Sequence, residues 1–313
     1  MKRIGIVVAF LAICSSLFSQ GRYIKTSDDV NLYVTVKGKG IPCLYVHGGP
    51  GAGSYWMEKF AGDILESRFQ MIYLDQRGTC RSSSPKDGNY SMERMAKDFE
   101  EVKEALGIKE WITMGHSFGG ILQMGYVKFF PQSTSGMIMI CCTLYSKESF
   151  ETSWGPKACE FLGLKDTALY SDQSIPFMER WVKFFPLLNE KNISWKMQYE
   201  RKESSDLMAK TFGEVSNFNW DFEGHMIGMD EYFNVSYKPM TSGVMQPVLY
   251  FYGTRDWSVG PSHFKGIEFP NMLLKSFNGG HAPFLENRKE LENAIDLYLK
   301  QYKRQVQGKT KKG

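Results

Sequence analysis

Cysteine and histidine are both scarce in this chain, and neither falls into a pattern that binds metal. Of the six cysteines in 313 residues, Cys14 lies in an apolar N-terminal stretch. Cys43, Cys80, Cys141, Cys142 and Cys159 remain, an odd set with no C-x-x-C pair, and three of them fall in apolar runs where a thiol behaves as a small hydrophobe. A disulfide framework is therefore excluded as the organising device. The five histidines, His47, His116, His225, His263 and His281, include no close pair, so the sequence calls for no metal and no organic cofactor. Charge of one sign is missing too. Against 34 acidic residues stand 38 Lys and Arg, a net +4 that gives no case for nucleic acid as a partner. Lys309, Lys311 and Lys312 read as a solvated basic tail over 305–313. There is no internal repeat.

Long apolar runs are absent as well. The run from Ile4 to Ile13 falls short of the roughly 20 residues a membrane helix needs. It follows the positive Met1-Lys2-Arg3 and precedes Ser16-Leu17-Phe18-Ser19, whose small residues suit cleavage near Gln20. Residues 1–20 are therefore expected to be a signal peptide, and the mature chain is expected outside the cytoplasm, periplasmic or secreted, with no stable membrane span. Losing Lys2 and Arg3 brings the net charge to +2. A lipid anchor on Cys14 is the alternative, opposed by the bulky Ile13 where such signals take a small residue.

What is present is chemistry. Gly115-His116-Ser117-Phe118-Gly119 is a G-x-S-x-G sequence with the apolar Trp111-Ile112-Thr113-Met114 before it and a helical pattern, Gly120 to Val127, after it. In that context the pentapeptide is a nucleophile elbow: small residues on either side of Ser117 let a strand turn sharply into a helix and project the hydroxyl. A serine needs a base, an acid to orient the base, and donors for the oxyanion. With this elbow the acid and the histidine follow in that order, each after a late strand. Val248 to Gly253 reads as a buried strand before Asp256, and Met272 to Phe277 precedes His281. Asp230 and Glu231 follow no such strand, which leaves Asp256 as the acid and Glu231 as the fallback. The oxyanion donors are the amides of Phe118 and of Gly49, the latter in His47-Gly48-Gly49-Pro50-Gly51 after the strand-like Cys43 to Val46.

The order of elements implies an α/β-hydrolase fold: a mostly parallel central sheet flanked by helices, with an inserted α-helical cap. An antiparallel pair over Tyr23 to Val36 leads into alternating strands and helices up to Met137-Ile138-Met139-Ile140. The rhythm stops at 144–240, a stretch rich in aromatics, where the spacing of Trp181, Val182, Phe184, Phe185 and Leu188 suggests an amphipathic helix. The core is thus expected over 21–143 and 241–304, the second part closing with a helix from Asn287 to Tyr302. Most cap aromatics should be core, with a minority lining a cleft between cap and sheet.

Two loops carry a resemblance. His47-Gly48-Gly49-Pro50-Gly51 together with Asp75-Gln76-Arg77-Gly78 resembles the paired HGGPG and DQRG signatures of the proline iminopeptidase family, a serine-peptidase branch of the α/β-hydrolases. The resemblance runs from about Tyr23 to the C-terminal helix and is weak through the middle third. It implies Ser117 as nucleophile, Asp256 and His281 as triad partners, Gly49 and Phe118 as oxyanion donors, and removal of an N-terminal residue, typically proline, from a small peptide. It also implies cap acids that hold the substrate's amine. Tyr199-Glu200, after Trp195, and Glu231-Tyr232-Phe233-Asn234 resemble the stretches that supply them, which makes Glu200 and Glu231 the candidates. The chain departs from the family at the elbow, where Gly-Gly-Ser-Trp-Gly is usual, and at Cys80, where a glycine is usual. An esterase or amidase acting on small acyl substrates without a free amine is the alternative. A non-catalytic binder on the same scaffold is opposed by the complete triad.

Overall fold

The computed structural model describes residues 21–310. The leader expected over 1–20 lies outside them. Eight strands form one sheet: β1 (Arg22–Lys25), β2 (Asn31–Gly38), β3 (Ile41–Val46), β4 (Phe69–Leu74), β5 (Trp111–His116), β6 (Thr134–Ile140), β7 (Val248–Gly253) and β8 (Met272–Phe277), in the spatial order β1-β2-β4-β3-β5-β6-β7-β8. The first three in that order pair antiparallel and the rest parallel. Of the parallel part, β3 to β7 are buried on both faces, which is why they read as near-continuous apolar runs, while the edge strand β8 is half-exposed. In β3, Leu44 and Val46 join a core layer with Met92, Met95 and Phe99 of the helix Met92–Ala105 and Ile121 and Leu122 of the helix Gly119–Phe129. Cys43 and Tyr45 face the opposite layer, with Trp56, Leu65, Leu291 and Ile295.

The helices that cover these faces are α1 (Tyr55–Glu66), α2 (Met92–Ala105), α3 (Gly119–Phe129) and, at the far end of the chain, Arg288–Thr310. Ser91 caps α2, its side chain accepting from the Arg94 amide at 3.3 Å. The last helix runs on through Thr310, so the solvated tail expected from 305 is helical over its first six positions. Gln305, Val306 and Gln307 offer no proline to stop it.

Between β6 and β7 the chain builds a helical layer over the carboxyl ends of the strands. Its pieces are short: Ser146–Ser149 continues through a π turn, Phe150–Trp154, into Gly155–Leu162, followed among others by Phe177–Val182, Phe184–Glu190, Lys202–Phe212 and Asp221–Met226. The single helix expected around Trp181 to Leu188 is broken at Lys183. Pro186 is the reason, because it has no N–H for the Val182 carbonyl and its ring crowds that carbonyl. Phe184 and Leu188 are buried as expected, whereas Val182 is 48% and Phe185 41% exposed. Among the described residues no helix is long and apolar enough to cross a membrane.

Candidate active site

The ends of five parallel strands converge on one cleft under the cap, the place where open α/β sheets bind ligands. At the end of β5, Ser117 has φ 56°, the left-handed region. That conformation costs a residue with a side chain about 1–3 kcal/mol and persists only where the surroundings impose it. The surroundings do so through glycine. A β-carbon on Gly115 would come within 2.1 Å of the Gln123 side chain, and one on Gly119 within 2.2 Å of the Val46 carbonyl oxygen. The two elbow glycines thus allow the closeness that turns the strand into α3.

The loop after β3 lies directly against the elbow. A β-carbon on Gly48 would come within 2.5 Å of the His116 carbonyl oxygen and 2.8 Å of Ser117 Cβ. Gly49 has φ 116°, open to glycine. Neither the Gly49 nor the Phe118 amide donates to an acceptor among the described residues. Both residues line the cleft beside Ser117 and His281. Two backbone N–H groups are therefore free to meet negative charge developing on a bound carbonyl oxygen.

His281 and Asp256 come from the loops after β8 and β7. His281 Nδ1–H donates to Asp256 Oδ2 at 2.9 Å, and Asp256 Oδ1 accepts from the amides of Ser258 and Val259 at 3.0 and 3.1 Å. This arrangement leaves Nε2 of His281 as the acceptor. The histidine backbone is held from two sides: its amide donates to the Gln198 carbonyl of the cap at 2.8 Å, and its carbonyl accepts from His116 Nε2 at 2.9 Å. Burial pushes His116 down to about 3, so it serves as a neutral N–H donor. Gly253 completes the approach, since a β-carbon there would come within 2.4 Å of the Gly279 carbonyl oxygen.

The two signature loops lock together. The Gln76 amide donates to His47 Nε2 at 3.1 Å and the Gln76 side chain to the His47 carbonyl at 3.0 Å. His47, pushed down to about 4 by burial, is neutral and donates from Nδ1 to the Gly48 carbonyl at 3.0 Å. Asp75 accepts from the amide and hydroxyl of Ser54 at 2.7 Å each, and its other oxygen pairs with Arg81 at 2.6 Å. Arg77, fully buried, pairs with Asp98 at 2.5 Å and Asp28 at 2.9 Å. The second loop thus fixes the loop that carries Gly49, a physical reason for the two signatures to occur together. Cys80, the departure from the family pattern, has φ 55° and exchanges backbone hydrogen bonds with Asn219 of the cap at 2.8 and 2.9 Å. A left-handed conformation is where glycine costs least.

Cys141 adds a thiol beside Asp256 and His281, with ligand-capable atoms of the three within 4.8 Å of one another. Burial raises that thiol well above its ordinary range, so it stays protonated and is a poor metal ligand.

Ser117 and His281 lie at the waist between two lobes. The narrower, about 100 Å³, is walled by Phe150, Trp154, Phe177 and Phe233 with the hydroxyls of Thr143, Ser146 and Ser258. The wider, about 310 Å³, includes Trp56, Phe212, Trp220 and Glu223. Trp181 borders both, its buried Nε1–H without an acceptor among the described residues.

Glu200 and Glu231 line neither lobe. Glu200 pairs with Arg255, and Glu231 accepts from the Met92 amide at the start of α2 at 2.9 Å. Both cap acids expected to hold an amine are engaged elsewhere. Their partners are distant in sequence, which a local match to a family stretch cannot reveal. Glu223 was not singled out by the sequence, and no local signal marks it.

The chain matches the alpha/beta hydrolase fold family over residues 42–288. It belongs to that family. Among curated relatives, a proline iminopeptidase of Neisseria gonorrhoeae is 31% identical over 137 residues, 42% of this chain and 42% of that protein. A putative carbamate hydrolase of Escherichia coli is 30% identical over 97 residues, 31% of this chain and 36% of that protein. The chain thus spans about two fifths of the length of such relatives. Among solved structures, a proline iminopeptidase-related protein from Thermus thermophilus has a TM-score of 0.73 at 19% identity, covering 90% of this chain and 98% of that one. An esterase from Exiguobacterium antarcticum has a TM-score of 0.67 at 17% identity, covering 90% of this chain and 100% of that one. This alpha/beta hydrolase therefore shares its architecture with both peptidase-related and esterase structures, and the fold does not choose between substrates.

Proposed function

We propose that this alpha/beta hydrolase is a serine hydrolase that works through an acyl-enzyme on Ser117. The observation that carries the reading is the His281 to Asp256 hydrogen bond at 2.9 Å in the cleft that also holds the left-handed Ser117. Ser117 Oγ attacks the substrate carbonyl carbon while His281 Nε2 takes its proton. The oxyanion receives hydrogen bonds from the Gly49 and Phe118 amides. His281 then gives the proton to the departing amine or alcohol, and water repeats the sequence to free the acid. Asp256 holds the imidazole tautomer and stabilises the imidazolium.

More narrowly, we propose an aminopeptidase that releases N-terminal proline or another small residue. The interlocked loops support it, as do the relatives named proline iminopeptidase. A second reading, an esterase or amidase indifferent to a free amine, is favoured by the engagement of Glu200 and Glu231 outside the cleft. Hydrolysis of Pro-, Ala- and N-acetyl-Pro-arylamides beside short-chain p-nitrophenyl esters separates the two. The aminopeptidase reading expects cleavage of the free-amine arylamides and little of the acetylated one. Equal rates with and without the acetyl group overturn it and leave the second reading. We further propose export with cleavage near Gln20, which N-terminal sequencing of the mature chain tests; an intact Met1 on cytoplasmic protein would refute it.

A further inference from the structure

Two buried hydroxyls in the wall of the narrower lobe carry one hydrogen more than their neighbours can accept. His263, buried beside them, accepts the Leu144 amide at Nε2, 2.9 Å away, and burial keeps its ring neutral, so its one ring proton sits on Nδ1. Nδ1–H therefore donates to Ser149 Oγ at 3.4 Å and cannot accept from it. Glu148 Oε1, 3.8 Å from Nδ1, is out of hydrogen-bond reach and pairs with Lys238 at 2.6 Å. Thr143 Oγ1 accepts the Tyr145 amide at 3.2 Å and lies 2.8 Å from Ser149 Oγ. Whichever hydroxyl donates across that contact, the other keeps a hydrogen with no acceptor among the described residues. Both residues are more than nine-tenths buried, and both line the lobe.

The other hydroxyls of the lobe are spent. Ser146 donates to the Tyr232 carbonyl and Ser258 to the Met197 carbonyl, each at 3.0 Å. Trp181, on the border of the lobe, adds a buried Nε1–H without an acceptor among the described residues, and Gln198 lines it from an exposed position. No Asp, Glu, Lys or Arg occurs among the described residues that line the lobe, so nothing there matches a charged group. A buried donor is costly to leave unpaired, which favours a group that brings an acceptor. The space, about 100 Å³, is smaller than the ~150 Å³ that admits a benzene ring, so the group is short.

We infer that the narrower lobe selects a short, uncharged acyl group carrying a keto or ether oxygen, which accepts a hydrogen bond from the free hydroxyl of the Thr143 and Ser149 pair. The wider lobe gives the leaving group its way out, which puts the acyl part in the narrower one. The substrate class is an ester or amide of a small oxo- or alkoxy-acid. The inference rests on the serine-hydrolase reading above and deepens its esterase or amidase form; the oxygen-binding lobe is tested apart from it.

The test is an NMR titration of the Ser117→Ala chain, which cannot form the acyl-enzyme. Ethyl 4-oxopentanoate is compared with its isostere ethyl 4-methylpentanoate, and ethyl 3-methoxypropanoate with ethyl pentanoate. The expected result is that the oxygen-bearing ester of at least one pair binds about five-fold or more tightly, within the reach of one neutral hydrogen bond. Adding Thr143→Val and Ser149→Ala together brings that margin to within about two-fold, and at least one of them alone lowers it about three-fold. The two pairs show whether the lobe takes a keto or an ether oxygen. Equal or tighter binding of the alkyl ester in both pairs means that the free hydroxyl serves water alone and overturns the proposal. A margin that survives the double variant also overturns it, as does, where that variant does not fold, a margin unchanged in both single ones. A wild-type chain that binds the oxygen-bearing ester selectively but hydrolyses none of these esters overturns the hydrolase reading alone.

Discussion

The loops that carry Ser117, Asp256 and His281 and the cap above them are built on different plans. Below the cleft, polar groups are buried in fixed pairs: Gln76 with His47, Asp75 with Ser54 and Arg81, and Arg77 with Asp98. Above it, short helices pack through many ring contacts, such as Phe150 with Phe177 at 5.2 Å and Trp154 with Phe184 at 5.5 Å, around a buried polar anchor in which Arg180 pairs with Glu151 at 2.7 Å. Trp220, at 47%, and Ile227, at 55%, remain exposed there. Directional bonds in a dry setting hold atoms in one geometry, whereas ring packing tolerates substitution if volume is kept. On the serine-hydrolase reading proposed above, this is a division of labour: the strand ends hold the reacting groups still, and the cap sets which molecules reach them.

The largest effect is expected from the fixed half. Ser117→Ala should lower kcat by about 10⁴ or more while a product analogue still binds. His281→Ala and Asp256→Asn should fail at the same step, with the double variant little worse than the worse single one, because the three act as one unit. Additive losses in the double variant would show that Asp256 has been misassigned.

A middle effect is expected at the joint between the signature loops. Gln76→Ala removes the donor to the His47 carbonyl, 3.0 Å away, and loosens the loop that carries Gly49. A small misplacement of oxyanion donors should cost roughly 10- to 100-fold in kcat, with KM changed less. Steady-state kinetics on one arylamide or ester checks this, and an unchanged kcat would break the proposed link between the two loops.

The smallest effect is expected in the cap. Trp154→Ala, which widens the narrower lobe, should shift the preference among acyl chain lengths by about 10-fold, mostly through KM. A kcat loss as large as that of Ser117→Ala for every acyl chain would erase the contrast between the two halves.

The same contrast decided what could be read in advance. β3 to β7 are continuous apolar runs covered on both faces, Ser117 and Asp256 each follow such a run, and His281 follows the half-exposed edge strand β8, so their convergence was legible from local pattern. The cap gave no comparable signal because its helices are short and its aromatics pack across several of them. The expected helix through Trp181 to Leu188 lost to one proline, and the expected amine partners Glu200 and Glu231 lost to Arg255 and the Met92 amide. Glu223 is distinguished only by what surrounds it in the folded chain, the cleft on one side and no partner on the other.

The central claim is that Ser117 is the nucleophile, and covalent labelling tests it most directly. The purified chain is treated with a fluorophosphonate, and the modified residue is located by peptide mass mapping. The account predicts one adduct, on Ser117, formed in step with loss of hydrolytic activity and absent from Ser117→Ala. Label on another residue that accompanies inactivation, or hydrolysis at the wild-type rate by Ser117→Ala, would contradict it.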